Sequence, residues 1–360
     1  MFFPESVQIA INRLHSAGYE AYPVGGCVRD FLLGKPCSDF DITTSALPEE
    51  TRAVFSEFPV IETGIRHGTV TVVFDTPLEI TTFRIDCGYT DSRHPDAVEF
   101  TRSLTEDLAR RDFTVNAMAY HDGDIIDPFS GRADLDARVI RCVGDPVTRF
   151  SEDALRILRG LRFAATLDFA IEEHTAQAML ACREKLRYVS SERITEEIRK
   201  LACGVAAARI VREFSSVLAA VLPGFTPSLE RLSSLPPKLP LRMAALLGTV
   251  SAADALRFSN KEREAVCCLL SAKAPTDVRA ALREFGQEKA ELLYAYHALP
   301  FSLPDGIWQI SQLALSGSDL LEAGLQGAEI GKTLSALLHA VMYEGLPNER
   351  GALLAKIEEL

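Results

Sequence analysis

The hydrophobic pattern of this 360-residue chain changes once, near Ser151, and that change determines its architecture. Before Ser151, short β-branched runs are typical of strands, and residues 4–17 have the spacing of an amphipathic helix. After it, helical periods rich in Leu and Ala continue to the end. The sequence therefore predicts an α+β head with a mixed five-stranded sheet, followed by an all-α half. The five predicted strands are residues 21–24, 39–43, 60–62, 68–74 and 78–84.

Length and composition indicate more than one domain. With 47% hydrophobic residues, the chain can bury several cores. Breakers such as Pro236-Pro237 divide the helical half into bundles. Composition alone fits either a scaffold for a long ligand or a dimerisation module, and the oligomeric state stays open. The predicted units are a head over residues 1–140, a helical neck over 141–200, a helical body over 201–275 and a helical tail over 276–360.

Charge and cysteine content exclude several classes of protein. The net charge of -12 argues against unselective coating of nucleic acid, which requires many phosphates to be neutralised, but it allows a local basic groove. No apolar run approaches membrane-spanning length, and no basic segment precedes an apolar one at the start, so we expect a cytoplasmic protein without a membrane partner. The eight cysteines lack the spacing of a disulfide framework or a zinc site.

Two carboxylates and a glycine turn indicate the chemistry. Asp39 and Asp41 alternate with apolar residues in a predicted strand and so share one face of it. Upstream, Gly25-Gly26 leads from a strand into a helix, in the manner of a phosphate cradle. Either feature alone is common, as a solvated strand face or a tight turn. Together they predict two divalent metal ions beside a triphosphate, as phosphoryl or nucleotidyl transfer requires. Glu79 is a candidate third carboxylate, although a Glu on a strand face is most often simply exposed.

The order of these residues resembles a known family. Gly25-Gly26-x-x-Arg29-Asp30, followed by Asp39-x-Asp41, is similar to the first motif of the class II tRNA nucleotidyltransferases, a branch of the polymerase β-like superfamily. The resemblance implies a nucleotidyltransferase head in which Asp39 and Asp41 are catalytic and hold two Mg²⁺ ions. Gly26 and Arg29 are expected to contact the nucleotide, and Asp30 to be a structural partner.

A second segment, residues 104–119, resembles the Arg-Arg-Asp motif of that family. The resemblance implies that Arg110 and Asp112 contact the ribose of the incoming nucleotide. The alternative is a helix-terminal ion pair, which stays open for Arg111; that residue is expected to face away and to hold the motif rigid.

A third segment, residues 149–165, resembles the family's nucleotide-template helix. We expect Ser151 to cap one continuous helix on which Asp153 and Arg156 lie side by side. An acceptor beside a donor matches cytosine and adenine and opposes uracil and guanine, whereas an isolated pair would be an ordinary salt bridge. The resemblance also implies that Arg159 and Arg162 bind the nucleotide, or else they lie on the solvent side.

The resemblance implies that the chain adds C, C and A to the 3′ end of tRNA from CTP and ATP, with release of pyrophosphate. The expected partners are tRNA, CTP and ATP, with tRNA bound by the helical tail, and not DNA. A-only addition and bacterial poly(A) polymerase remain open within the family. Residues 82–96 fill a loop that CC-only members lack, which favours A addition. A non-catalytic RNA-binding protein is the alternative from another class.

Overall fold

The computed structural model describes residues 3–37, 39–62, 64–87 and 97–357, together covering the predicted head and helical half. Residues 88–96, the greater part of the predicted loop, lie outside the described residues. Eleven strands are assigned in the described ranges. They are β1 Ala21–Val24, β2 Asp41–Thr44, β3 Val60–Ile61, β4 Thr69–Val73, β5 Pro77–Thr82, β6 Arg84–Cys87, β7 Ala97–Phe100, β8 Ala119–His121, β9 Asp124–Ile126, β10 Val139–Ile140 and β11 Ala170–Ile171.

The head contains a mixed sheet in the order β3-β4-β5-β2-β1-β8-β9. Strands β2 and β5 are parallel and the other neighbouring pairs are antiparallel. The predicted fold class is confirmed, but the sheet has seven strands rather than five. The two additional strands are short and join at Asp122-Gly123, where both residues have positive φ. Asp-Gly favours this tight hairpin turn, a signal that the hydrophobic pattern alone does not reveal.

Helices surround the sheet and then form the rest of the chain. In the head they are α1 Glu5–Ser16, α2 Gly26–Leu32, α3 Pro48–Val54, α4 Leu104–Ala109 and α5 Gly131–Asp136. The following helices are α6 Pro146–Glu152, α7 Leu155–Leu167, α8 Glu173–Cys182, α9 Ser191–Ala202, α10 Ala207–Glu213, α11 Ser215–Ala219, α12 Leu229–Ser234, α13 Leu239–Leu247, α14 Val250–Asp254, α15 Asn260–Ser271, α16 Val278–Phe285, α17 Gln287–Tyr296, α18 Gly317–Glu322, α19 Ala328–Tyr343 and α20 Arg350–Ile357. None of the described helices is long and apolar enough to cross a membrane.

The two faces of the head sheet serve different purposes. Helix α1, predicted from its spacing, buries Val7 and Leu14 in one core with Ile42 of β2. Because side chains alternate along a strand, Asp41 and Thr43 point to the opposite face. There Thr43 contacts Asp107 of α4, at 3.1 Å between Oγ1 and a carboxylate oxygen. The face opposite α1 therefore carries the polar residues of the head.

A larger core joins the head to the helical half. Phe113, which follows the Arg-Arg-Asp segment, is fully buried and belongs to the same core as Phe150 of α6 and Ile157 of α7. The Phe113 ring also meets the ring of Phe163 edge-on, at 5.9 Å between centroids. Burying such aromatic rings contributes about 1.5–3 kcal/mol each. The polar face of the head is thus fixed against α7.

Candidate active site

Asp39 and Asp41 lie at the start of the central strand β2. Asp41 is its first residue, whereas Asp39 lies before the strand, so β2 begins two residues later than predicted. Both side chains reach solvent, and Ile42 is buried behind them. The predicted alternation of polar and apolar residues is therefore confirmed for Asp41, which faces away from the core, and for Ile42, which faces it.

The chain only partly offsets the negative charge of these carboxylates. Burial raises the pKa of Asp41, nearby Arg111 opposes that rise, and Asp39 adds to it. Glu79 of β5 is in register with Asp41, and burial followed by the charges of Asp41 and Asp39 raises its pKa. Desolvation of a carboxylate and repulsion from neighbouring carboxylates both have this effect. No group of three or more potential metal ligands is found in the described ranges.

The glycine turn lies against an arginine. Gly25 has φ of 75°, which favours glycine, and a Cβ there would lie 2.7 Å from Nη1 of Arg111. Arg111 therefore approaches the turn and acts on Asp41, so the expectation that it faces away is wrong. Its Nε is buried without a hydrogen-bond partner in the part of the chain that the structure describes. An unsatisfied buried donor at a glycine turn suits a ligand that supplies an acceptor.

Asp107 organises the Arg-Arg-Asp segment, and sequence reasoning missed it. Its side chain is 0% exposed and forms ion pairs with Arg110 at 2.9 Å and Arg111 at 3.5 Å. Burial opposes the charge, but the two arginines and hydrogen bonds from Arg110 and Thr43 lower the pKa of Asp107. Both arginines are thus fixed to the strand that bears Asp41. A carboxylate three or four residues before two arginines on a helix is the signal that could have revealed this.

Asp112 belongs to a second buried network. One carboxylate oxygen accepts from the Phe113 amide at 2.8 Å and from Asn116 Nδ2 at 3.1 Å, and the other accepts from Arg159 Nε at 2.7 Å. Burial alone would raise its pKa, but the charge of Arg159 and these hydrogen bonds hold the pKa of Asp112 at about 2. Asn116 also accepts from Arg29 at 2.6 Å. The predicted residues Arg29, Asp112 and Arg159 are therefore linked.

Arg29, Arg159 and Arg162 converge on one aromatic ring. Their guanidinium carbons lie 5.2, 5.6 and 3.8 Å from the centroid of Phe163. Arg29 also pairs with Asp30 at 2.8 Å, which confirms Asp30 as a structural partner. Such convergence concentrates positive charge on a buried, cation-stabilising ring. Phe163 was not predicted, because the function of a core aromatic depends on what folds over it.

Arg162 is further held by Glu197 of α9, at 2.6 Å. Burial lowers the pKa of Arg162, while Glu197 opposes that change. Arg162 therefore does not lie free on the solvent side.

The template segment differs most from expectation. Ser151 is not a cap: it lies in α6, and its hydroxyl donates to the Val147 carbonyl at 2.7 Å. The helix ends at Glu152, and a new helix, α7, begins at Leu155. Asp153 is extended between them and accepts from the Leu155 amide at 3.0 Å. This capping bond competes with helix continuation, which explains the break.

Asp153 and Arg156 consequently do not pair with each other. Asp153 forms an ion pair with Arg193 of α9 at 2.7 Å, and Arg156 pairs with Glu152 at 2.5 Å. Arg156 also donates to the Arg149 carbonyl at 3.0 Å. Each group is held by its own partner. Asp153 and Arg156 therefore form neither a continuous helical face nor a salt bridge with each other.

Models of three known sequence families match consecutive parts of the chain. A model described as a Poly A polymerase head domain matches residues 21–141. A model described as an RNA and SrmB-binding site of polymerase A matches residues 168–229. A model described as tRNA nucleotidyltransferase domain 2 matches residues 271–357.

Relatives named CCA-adding enzymes are similar to nearly the whole chain. The CCA-adding enzyme of Lactobacillus helveticus is 39% identical, with 97% of this chain and 96% of that protein covered. The CCA-adding enzyme of Lactobacillus delbrueckii subsp. bulgaricus is 37% identical, with 95% and 94% covered. The crystal structure of Bacillus stearothermophilus CCA-adding enzyme in complex with CTP matches with a TM-score of 0.84 at 33% identity, covering 100% of this chain and 99% of that chain.

Proposed function

The chain belongs to the family of CCA-adding enzymes, which are tRNA nucleotidyltransferases, and we propose that it adds C, C and A to the 3′ end of tRNA. CTP and ATP are the proposed substrates, and pyrophosphate is released. One observation carries the proposal: Asp41, two residues after Asp39, begins β2 in the field of Arg111, which lies against the Gly25 turn. Carboxylates that can bind cations therefore lie beside an arginine that can bind phosphates.

The carboxylate pair fits hard divalent cations. Carboxylate oxygens are the ligands that Mg²⁺ prefers, and a bound cation would stabilise the ionised form of Asp41 against the burial and the charge of Asp39 that raise its pKa. We propose that Asp39 and Asp41 hold two Mg²⁺ ions, which when bound activate the terminal hydroxyl and neutralise the leaving pyrophosphate. Glu79 adds negative charge nearby without completing a three-ligand group within the described ranges.

Arginines orient the nucleotide in this proposal. We propose that the backbone at Gly26 and the guanidinium of Arg111, whose Nε has no hydrogen-bond partner in the described ranges, contact the triphosphate. Arg110 and Asp112 are proposed to border the ribose, where Asp107 and Arg159 hold them in place. The arginines around Phe163, namely Arg29, Arg159 and Arg162, are each held by a carboxylate, and we propose that their remaining N–H groups donate to the nucleotide.

Base selection is assigned to Asp153 and Arg156, now as two separately held groups. Asp153 still offers acceptor oxygens, and Arg156 offers donors, so their combined polarity matches cytosine and adenine. Arg193 fixes the acceptor at 2.7 Å, and Glu152 fixes the donor at 2.5 Å. Rigid placement matters because each mispaired buried polar group costs about 1–3 kcal/mol.

Other members of the class would use the same machinery. An A-only nucleotidyltransferase or a bacterial poly(A) polymerase needs the same carboxylates, but the curated relatives at 37% and 39% identity are CCA-adding enzymes. A non-catalytic RNA-binding protein would not need Asp39 and Asp41 in this setting. The unit boundaries at residues 140, 200 and 275, and tRNA binding by residues 276–360, are proposed on the sequence pattern.

Primer extension distinguishes these functions. The protein is incubated with Mg²⁺, labelled CTP or ATP, and tRNA transcripts that end before the CCA, after the first C or after the second C. CCA addition predicts C on the first two transcripts and a single A on the third. Addition of A alone would identify an A-only enzyme, long A tails a polymerase, and no addition a binding protein.

A further inference from the structure

A basic and aromatic segment lies between α8 and α9, outside the site described above. Residues Arg183–Tyr188 form a 3₁₀ helix that carries three basic residues and one acidic residue. In a chain with a net charge of -12, this local excess of positive charge stands out. Leu186 is 0% exposed and anchors the segment in the core, so its outward residues are held in place.

Tyr188 is the exposed end of this segment. Its side chain is 64% exposed, the most of any aromatic residue in the described ranges. The guanidinium of Arg187 lies 4.8 Å from the ring centroid, and Arg187 Nη2 donates to the Tyr188 hydroxyl at 2.8 Å. One face of the ring is thus supported by a cation, as in surfaces on which nucleobases stack.

The segment is tied to the proposed nucleotide site at both ends. Lys185 Nζ donates to Ser151 Oγ at 2.9 Å, two residues before Asp153. The helix that follows the segment, α9, carries Arg193, which pairs with Asp153. The segment that carries Tyr188 therefore lies against the end of α6, next to Asp153.

We propose that Arg187 and Tyr188 bind the unpaired 3′ segment of the RNA acceptor, with Tyr188 stacking on a base and Arg187 contacting a phosphate. The proposal rests on the proposed function, because that function requires a single-stranded end at the active site. Stacking tolerates any base, since every base has a π face. This surface would thus hold the acceptor without reading its sequence.

Equilibrium binding of two RNA probes tests the proposal. One probe is an acceptor-stem hairpin with an unpaired 3′ overhang, and the other is the same hairpin with a blunt end. Tyr188→Ala is expected to weaken binding of the overhang probe about tenfold and to leave the blunt probe unchanged. Tyr188→Trp, which preserves a stacking surface, should bind the overhang as tightly as wild type.

Arg187→Ala should weaken binding and lower the salt dependence of binding by about one phosphate contact. Arg52→Ala removes the same charge from α3, which packs on the α1 side of the sheet, and serves as the matched control. Unchanged overhang affinity in Tyr188→Ala, or equal losses for both probes, would overturn the proposal. Circular dichroism confirms that each variant is folded.

Kinetics separate this proposal from the function on which it depends. Tyr188→Ala should raise KM for tRNA while KM for CTP stays within twofold of wild type. A wild-type protein that adds no nucleotide would contradict the proposed function. A wild type that adds nucleotides, beside a Tyr188→Ala variant with unchanged KM for tRNA, would contradict only the proposed RNA surface.

Discussion

Two pairs of aspartates on the same face of the head are built in opposite ways. Asp39 and Asp41 are exposed, and the pKa of Asp41 is raised because the surrounding protein partly desolvates its carboxylate, with Arg111 opposing the rise and Asp39 adding to it. Asp107 and Asp112 are buried, and neighbouring arginines lower the pKa of both. The comparison shows that Arg111 only partly offsets the charge at the first pair, whereas arginines of the chain pair directly with the carboxylates of the second. Asp39 and Asp41 are suited to bind cations, and Asp107 and Asp112 to hold arginines in position.

The largest expected effect follows from removing a binding carboxylate. Asp41→Ala should lower kcat at least about a thousandfold, because bound ions supply several kcal/mol of transition-state stabilisation. Its free energy of unfolding should not fall, since no core contact or ion pair is lost. Single-turnover extension and urea unfolding measure both quantities.

Asp75→Ala changes an exposed aspartate between β4 and β5 and is the control for this experiment. The distinction between the two pairs would fail if Asp41→Ala kept more than a tenth of wild-type kcat. It would also fail if Asp41→Ala unfolded as readily as a variant of a buried aspartate.

Asp107→Asn, unlike Asp41→Ala, should mainly lower the stability of the fold. Removing this charge leaves Arg110 and Arg111 without their buried partner, and breaking such a network costs about 3–5 kcal/mol. We expect a lower free energy of unfolding and a higher KM for nucleotide, since both arginines lose their anchor. Urea unfolding and initial rates provide the measurements. A variant as stable as wild type would show that Asp107 is not a structural anchor.

How far the sequence predicts this molecule depends on the range of the interaction. The Asp39-x-Asp41 pattern and the helix containing Val7 and Leu14 are local periodicities, and both were predictable. The break at Asp153 was not, because the helical period runs through it while its carboxylate caps Leu155. Phe163 acquires its role from Arg29 on another element, which no local pattern encodes, whereas the pairing of Asp107 with Arg110 and Arg111 follows a local i,i+3 and i,i+4 spacing.

The pH dependence of folding stability should also distinguish the two pairs, although this effect is smaller. The folded pKa of Asp112 is about 2, below its ordinary value of 3.8, so its ion pair stabilises the fold above pH 4 by about 2 kcal/mol. That contribution is lost as pH falls from about 4 to about 2. The raised pKa of Asp41 has the opposite sign, because the folded state holds its proton more tightly and gains stability as pH falls.

Unfolding by urea at several pH values tests these signs. The stability difference between wild type and Asp112→Asn should shrink as pH falls towards 2. The difference between wild type and Asp41→Asn should favour the variant near neutral pH and shrink on acidification. Identical pH profiles for the two variants would mean that the pairs do not differ electrostatically.

Asp153 lies between the two extremes, because it is partly exposed and paired with one arginine. Arg193→Ala should free this carboxylate and reduce the preference for CTP over UTP about tenfold, since one hydrogen-bonding pair contributes about 1–3 kcal/mol of discrimination. Arg193→Lys should restore part of the preference. Values of kcat/KM for each nucleotide on a truncated tRNA provide the test.

Arg199→Ala, on the same helix, removes an arginine that pairs with Glu196 and Glu262 instead, and should leave the ratio unchanged. An equal loss of kcat/KM for CTP and UTP in Arg193→Ala would mean that Arg193 has only a structural role.

Metal stoichiometry tests the central claim, that only the exposed pair binds cations. Bound Mn²⁺, a spectroscopic substitute for Mg²⁺, can be counted by electron paramagnetic resonance in the presence of a non-hydrolysable CTP analogue. We predict two ions per chain in wild type and in Asp112→Asn, and weaker or fewer ions in Asp41→Asn. Equal Mn²⁺ binding by wild type and Asp41→Asn, or loss of Mn²⁺ in Asp112→Asn alone, would contradict it.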